Sequence, residues 1–153
     1  MEFGTIEREI YIEAPPEIVF PVVSEPEHLK HWWPDDADYD PTPGSSGQIV
    51  FGDCNAGGKV VAFTVVDAEP PRRFSFRWTH PQGDVPAEGN SLLVTFELVP
   101  SGDGTLLRMT ESGFREMGWE VAVLEEQYRD HVSGWTYFLG RLAPYVATLR
   151  VRP

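Results

Sequence analysis

The stretch LEEQYRDHVSGWTYFLGRLAPYV, from Leu124 to Val146, decides the fold of this chain. Its large apolar residues recur at three- and four-residue intervals, which is the period of one face of an α-helix. This face carries Leu124, Tyr128, Val132, Trp135, Leu139, Leu142 and Val146, with His131, Phe138 and Tyr145 beside it. We therefore predict one long C-terminal helix whose apolar face is buried against another layer of the protein.

Two residues within this stretch should disturb the helix. Pro144 has no backbone N–H, and its ring crowds the carbonyl of Gly140, so we expect a kink or a late break there. Gly134 costs about 1 kcal/mol relative to alanine in a helix interior. We interpret it as a sign that the backbone approaches a neighbouring element closely.

The N-terminal part of the chain predicts one strand and two short helices. Thr5 to Ala14 places isoleucines on one face and glutamates on the other, which is the pattern of a half-buried strand. A proline at the first helical position favours a helix over about Pro16 to Ser24. Its residues predicted to point inward are Ile18, Val19, Val22 and Val23. A second short helix should follow and run through Trp33.

The middle of the chain predicts a series of strands joined by turns. Residues 35–47 are rich in aspartate, proline and glycine, so we expect an exposed loop there. Strands are predicted over Gln48 to Asp53, Lys59 to Ala68, Arg72 to Thr79, Leu92 to Leu98 and Thr105 to Gly113. The turns include Cys54 to Gly58 and Ser101 to Gly104, with a polar excursion over His80 to Asn90. This order predicts an α+β fold in one domain, residues 1–153: a curved antiparallel sheet of about six to seven strands around the long helix.

Four blocks of sequence, in order along the chain, carry a family resemblance. They are EAPPEIVFPVVSEPEHLKHWW (13–33), AEPPRRFSFRW (68–78), LLVTFELVPSGDGTLLRMTESGF (92–114) and GWTYFLGRLAPYV (134–146). In them the chain resembles the activator of Hsp90 ATPase homologue 1-like family, within the START-like or SRPBCC (polyketide cyclase, Bet v 1-like) superfamily. The resemblance implies a helix-grip fold with a cavity between helix and sheet. It implies no single function, because the superfamily contains lipid carriers, cyclases, hormone receptors and co-chaperones.

The composition restricts the classes of partner. A length of 153 residues with 41% hydrophobic residues suits one core, and a net charge of −12 repels nucleic-acid phosphates. No apolar run approaches the roughly 18 residues of a membrane helix. The N-terminus is too acidic for a signal peptide, and the lone Cys54 cannot form an internal disulfide. We expect a cytoplasmic protein without membrane insertion, and the sheet edges would permit a homodimer.

Aromatic residues dominate the elements predicted to surround the interior. They offer large, rigid contact areas to an apolar ligand, although each could equally serve core packing. The candidate ligand-binding residues are Trp33, Phe51, Phe63, Phe76, Trp78, Phe96, Met109, Glu111, Tyr128, His131, Trp135 and Phe138. Of these we favour Trp33, Trp78, Met109 and Trp135 for the cavity wall.

Two polar residues are predicted to face the interior. Glu111 falls on the inward register of its strand after Met109, and His131 flanks the helix face one turn before Trp135. The pair could orient a ligand or act as general acid and base. Alternatively, Glu111 lies in solvent at the strand end and His131 lies at the wet edge of the helix face.

His28 and His31 are three residues apart on a predicted helix, which is a spacing that can chelate a metal. This segment is also typical of a solvated helix end, so we expect no metal site. We expect no cofactor either.

Three functions remain open from the sequence. The first is non-catalytic binding or carriage of a small hydrophobic molecule such as a lipid, with no assigned substrate. The second is a cyclase- or hydrolase-type enzyme that uses the cavity Glu and His. The third is an Hsp90-directed interaction module; the eukaryotic activators carry a separate N-terminal Hsp90-binding domain, whereas this chain starts at the first strand, so we do not expect an Hsp90-type partner.

Overall fold

The segments with alternating apolar and polar residues form a single antiparallel sheet. The structure is a computed structural model that describes residues 4–52, 59–80, 84–87 and 89–151. Its strands are β1 (Thr5–Ile12), β2 (Asp36–Asp38), β3 (Ser46–Phe51), β4 (Lys59–Glu69), β5 (Arg73–Trp78), β6 (Leu92–Ser101) and β7 (Gly104–Ser112). Its helices are α1 (Pro16–Ser24), α2 (Pro26–Leu29) and α3 (Val121–Val151), with a 3-10 turn over Arg115–Met117.

The sheet has the order β1-β7-β6-β5-β4-β3-β2, and each neighbouring pair is antiparallel. The first strand therefore pairs with the last one, and α1 and α2 connect β1 to the opposite edge of the sheet. The long helix α3 buries Trp135, Leu139, Leu142 and Val146, each at most 4% exposed, in the same core as the sheet. The predicted α+β helix-grip fold is confirmed. No helix among the described residues is both long enough and apolar enough to cross a membrane.

The long helix has no late break at Pro144 and no close neighbour at Gly134. It continues through Pro144 to Val151 as one element, so the expected late break does not occur. A Cβ added to Gly134 would meet no heavy atom within 4 Å, so no neighbouring element approaches the backbone there. Pro144 is tolerated because it lies on the exposed side of the helix, and Gly134 faces open space.

The first short helix has the predicted bounds, Pro16–Ser24, but one of its predicted inward residues is wrong, and the second helix is shorter than predicted. Ile18 is 41% exposed, whereas Phe20 is buried and meets Phe74 edge-on at 6.4 Å between ring centroids. Ile18 and Phe20 flank the same apolar stripe on opposite sides, so the helical period alone cannot choose between them. The second helix, α2, ends at Leu29 and not at Trp33.

The segment predicted as an exposed loop contains a strand and a buried tyrosine. Asp36–Asp38 pairs with β3, and Tyr39 is 8% exposed and stacks on Phe63 at 4.4 Å. The Tyr39 hydroxyl donates to the carbonyl oxygen of Ser24 at 2.7 Å. The predicted turn over Cys54 to Gly58 lies outside the described residues, and so does part of the excursion after His80.

Candidate functional site

Trp33 lies at the centre of a layer of aromatic rings between α3 and the sheet. Its ring centroid is 5.0 Å from that of Trp78 on β5 and 4.9 Å from that of Trp135 on α3. Phe51 and Phe76 lie 6.0 and 5.6 Å away. The segment after α2 thus inserts one indole between the helix and the sheet, where most of the interior is filled by rings.

An apolar cavity lies in this layer among the described residues. It has a volume of about 110 Å³, and its aromatic walls come from Trp33, Phe51, Trp78, Trp135 and Phe138. His131 and Gly134 of α3 also line it, and Asp130 lies at its rim. Because nothing occupies the position of a Cβ at Gly134, the glycine leaves this side of the cavity open.

The buried carboxylate of Glu111 is hydrogen-bonded to two tryptophans of the cavity wall, Trp78 and Trp135. Glu111 is 0% exposed, and its Oε2 accepts a hydrogen bond from Nε1 of Trp78 at 2.8 Å. Its Oε1 accepts from Nε1 of Trp135 at 2.8 Å and lies 2.9 Å from Nδ1 of His131. Since each indole N–H can only donate, the carboxylate fixes both tryptophan rings in the wall. The imidazole is the third group held by this carboxylate.

The structure places the predicted site residues in three groups. Those that line the cavity are Trp33, Phe51, Trp78, His131, Trp135 and Phe138. Glu111 lies behind them, buried and hydrogen-bonded to three of them, rather than in solvent at the strand end.

The remaining candidates do not line the cavity. Phe63, Phe76, Phe96 and Met109 are at most 1% exposed within the core. Tyr128 contacts Phe114 at 5.4 Å between ring centroids, and its hydroxyl donates to the carbonyl of Thr5 at 3.0 Å.

Sequence reasoning missed Gly134 and Asp130 as lining residues. Gly134 lies three residues after His131 and one before Trp135, on the same side of the helix, so helical spacing could have identified it. A glycine offers no side chain to identify it as a wall residue, so the sequence favours the interpretation as a close backbone contact.

The two histidines considered for a metal both contact Tyr145 of α3. Nδ1 of His28 lies 2.7 Å from the Tyr145 hydroxyl, and the His31 ring stacks on the Tyr145 ring at 5.1 Å. In the described part of the chain, no group of three or more His, Cys, Asp or Glu side chains is arranged to hold a metal ion. These contacts connect α2 and the turn after it to the C-terminal half of α3.

The described residues also border larger depressions on the surface. One of about 1070 Å³ borders β2 and β3 and is lined by polar residues such as Asp38, Thr64 and His80. Another of about 470 Å³ lies between α1 and Pro70-Pro71. We regard the small interior cavity as the candidate site, because it alone of these three combines aromatic walls with a buried carboxylate and an imidazole.

Comparison with known proteins agrees with the fold. A family model described as "Activator of Hsp90 ATPase homolog 1-like protein" matches residues 13–147. Protein MLL2253 from Mesorhizobium loti is 26% identical, with a TM-score of 0.74, and the match covers 97% of this chain and 99% of that protein. No curated protein is significantly similar to the chain.

Two further solved structures are similar. Protein NE0264 from Nitrosomonas europaea is 18% identical, with a TM-score of 0.76 and 99% of both chains covered, a likeness that shows the fold alone. DynU16, described as a protein in the dynemicin biosynthetic locus, is 26% identical with a TM-score of 0.71. That match covers 95% of this chain but only 48% of DynU16.

Proposed function

Since the chain belongs to the activator of Hsp90 ATPase homolog 1-like family, we propose that it binds a single small hydrophobic molecule in the cavity between α3 and the sheet. The observation that carries the proposal is the cavity wall, in which Trp78 and Trp135 are held by the buried Glu111. Rings fixed in this way form a preorganised apolar surface, so little conformational entropy is lost when a ligand binds.

The volume of the cavity limits the size of the ligand. At about 110 Å³ it is far below the roughly 300–1,000 Å³ of pockets that hold drug-sized molecules. It is of the order of the roughly 150 Å³ apolar cavity that accepts benzene. The ligand is therefore of single-ring size, and a long acyl chain would require α3 to move away from the sheet.

Toluene is a suitable probe for this proposal, and the indole N–H signals in ¹H–¹⁵N NMR are a suitable reporter. We expect toluene to shift the signals of Trp78 and Trp135, whose rings line the cavity. The signal of Trp32 is the internal reference, because its Nε1 donates to the carbonyl of Val22 and Trp32 is not a wall residue. Intrinsic tryptophan emission should shift in parallel.

A matched pair of variants on α3 makes this experiment specific. Gly134→Leu fills the cavity from the helix side and should abolish the toluene response. Gly140→Leu introduces the same side chain at an exposed glycine with equally open space and should leave the response unchanged. No shift with toluene in the wild type, or an equal response in both variants, would contradict the proposal.

The contact between Glu111 and His131 favours one second candidate function, a hydrolase- or cyclase-type enzyme. A histidine that is oriented by a carboxylate can act as a general base toward a bound substrate. Hydrolysis of phenyl acetate is a direct measurement, with His131→Phe expected to abolish it and the exposed Tyr137→Phe expected to retain it. A rate equal to that of the unfolded protein would exclude this activity for that ester.

A further inference from the structure

We propose that the natural occupant of the cavity is a neutral ring compound with a hydroxyl or N–H group, which donates a hydrogen bond to Nε2 of His131. This inference rests on the proposed binding function and specifies the chemical class of the ligand. It follows from the hydrogen bonds of Glu111, from the second ring nitrogen of His131 and from the charges around the cavity.

The hydrogen bonds of Glu111 determine which nitrogen of His131 carries the proton. Both carboxylate oxygens already accept from indole N–H groups, and Oε1 is also the atom that contacts Nδ1. A carboxylate without a proton satisfies all three contacts as an acceptor, so Nδ1 is the protonated nitrogen of the ring. In the neutral imidazole, Nε2 then carries a lone pair and accepts hydrogen bonds.

This Nε2 is available to a ligand. Nδ1 makes the one hydrogen bond of the His131 side chain to the residues that the structure describes. The ring is held in place between Trp78 and Phe114, with centroids at 5.4 and 5.3 Å, and its side chain is 15% exposed. Because His131 is one of the residues that line the cavity, Nε2 is the acceptor of this side chain that remains for a ligand beside the aromatic rings.

The charges around the cavity disfavour an anionic ligand. Asp130 lies at the rim, and the buried Glu111 lies behind the wall. The described residues that line the cavity include no lysine or arginine to balance a ligand carboxylate or phosphate. A fatty acid headgroup would therefore meet like charge, whereas a neutral phenol would find an acceptor and aromatic walls.

The test compares phenol with toluene, two probes of nearly equal shape that differ in one O–H donor. Calorimetry measures both affinities in the wild type and in His131→Phe, which keeps a ring but removes the acceptor. The ratio of phenol affinity to toluene affinity should fall about tenfold in the variant, the size expected for one hydrogen bond. Phenol and toluene differ in their free energy of hydration, but the free probes are in the same water in both experiments. This difference therefore cancels when the affinity ratio of the variant is compared with that of the wild type.

The outcomes separate this inference from the proposed function. If toluene and phenol bind and their affinity ratio is the same in both proteins, the apolar site stands and the inference about the donor is wrong. If neither probe binds to the wild type, the proposed function fails. The exposed Tyr137→Phe variant on the same helix is the control and should keep the wild-type ratio.

A second measurement needs no variant. The ¹⁵N signals of the His131 ring should show a protonated Nδ1 and an unprotonated Nε2, and phenol should move the Nε2 signal while toluene leaves it in place. Protonation on Nε2 in the neutral ring would overturn the proposal, even if His131→Phe failed to fold.

Discussion

At the scale of single residues, Glu111 connects the sheet to the long helix. Its carboxylate accepts hydrogen bonds from Trp78 on β5 and Trp135 on α3, and it is completely buried. Burial of a charged group is costly unless hydrogen bonds replace its water. Three contacts meet that requirement here, and they make the orientation of the cavity walls depend on one side chain.

The first prediction concerns the substitution Glu111→Gln. An amide has one acceptor oxygen, so its NH₂ group must face the indole N–H of Trp78 or the donors from α3. An unpaired buried donor costs roughly 1–3 kcal/mol, and we expect the free energy of unfolding to fall by that amount. Urea denaturation measures this loss of stability.

Glu97→Gln on the exposed face of the neighbouring strand is the control and should change stability by less than about 0.5 kcal/mol. Equal effects of the two substitutions would contradict the role given to Glu111.

The sequence could place Glu111 on the inward register, but it could not establish that the residue is buried. Ser112 and Gly113 directly after it indicate a strand end, so the sequence also allows Glu111 to lie in solvent. In the structure, Glu111 pairs with Ile6 of β1 and with Val94 of β6. The neighbouring strands β1 and β6 thus cover the end of β7 on both sides. The pairing of the first strand with the last is a tertiary contact, which local sequence patterns cannot predict.

The second prediction concerns Tyr39 and alkaline pH. Burial raises the pKa of the Tyr39 phenol far above its usual range, and the carboxylate of Glu25 raises it further. Below about pH 10 the phenol is neutral in both the folded and the unfolded state. Above that pH only the unfolded state loses the proton, so stability should fall by about 1.4 kcal/mol per pH unit from this group.

Denaturation with urea between neutral pH and pH 11 measures this dependence. Tyr39→Phe should lose about 1 kcal/mol at neutral pH, because its hydrogen bond to Ser24 is absent, but it should show a shallower alkaline decline than the wild type. Tyr137→Phe, at an exposed tyrosine, should keep the wild-type slope. An unchanged slope in Tyr39→Phe would rule out this tyrosine as a source of the alkaline instability.

At the scale of elements, the helical period predicted α3 well because the residues of its apolar face all lie in the core or pack against it. In α1 the same period predicted the three buried valines but was wrong at Ile18, since Ile18 and Phe20 flank the stripe on opposite sides. The choice between them depends on Phe74 of β5, a residue distant in sequence, which contacts the Phe20 ring. The strand β2 was missed because it has three residues, too few to show a period.

The third prediction concerns Pro144, which lies inside α3 on its exposed side. Pro144→Ala restores the backbone N–H that can bond to the carbonyl of Gly140, and alanine is favoured over proline in a helix interior by up to about 3 kcal/mol. The more flexible unfolded chain offsets about 0.4–1 kcal/mol of this. We therefore expect a net stabilisation of roughly 1–2 kcal/mol in urea denaturation, with slower amide hydrogen exchange after residue 140.

Thr136→Ala is the comparison for this effect, since Thr136 is also exposed on α3. It changes helix propensity and removes the hydrogen bond from the Thr136 hydroxyl to the carbonyl of Val132, and it should stabilise by no more than about 0.7 kcal/mol. A destabilised Pro144→Ala would mean that the proline ring makes a favourable contact that outweighs the missing hydrogen bond.

At the scale of the whole molecule, the aromatic residues fill most of the space that the helix-grip architecture encloses. The sequence predicted that these residues gather between helix and sheet, but it could not predict how much space they leave. The remaining space depends on how the rings pack against one another, and Trp33 is an example. It is 4% exposed and stands within about 6 Å of Trp78, Trp135, Phe51 and Phe76.

The last prediction is that Trp33→Ala converts this packed interior into a larger binding cavity. Removing a buried tryptophan costs about 3–5 kcal/mol, which a domain of ordinary stability can lose and still fold. Indole has the shape of the missing side chain, so it should enter the void and raise the melting temperature in a concentration-dependent manner. The wild type should respond weakly, because its cavity of about 110 Å³ is too small for two fused rings beside Trp33. Trp119→Ala removes a half-buried tryptophan that is not a wall residue and should not be rescued by indole.

Rescue of both variants to the same extent would show that indole binds elsewhere. Rescue of neither variant would show that the core collapses around the void. The walls of the cavity would then not be preorganised.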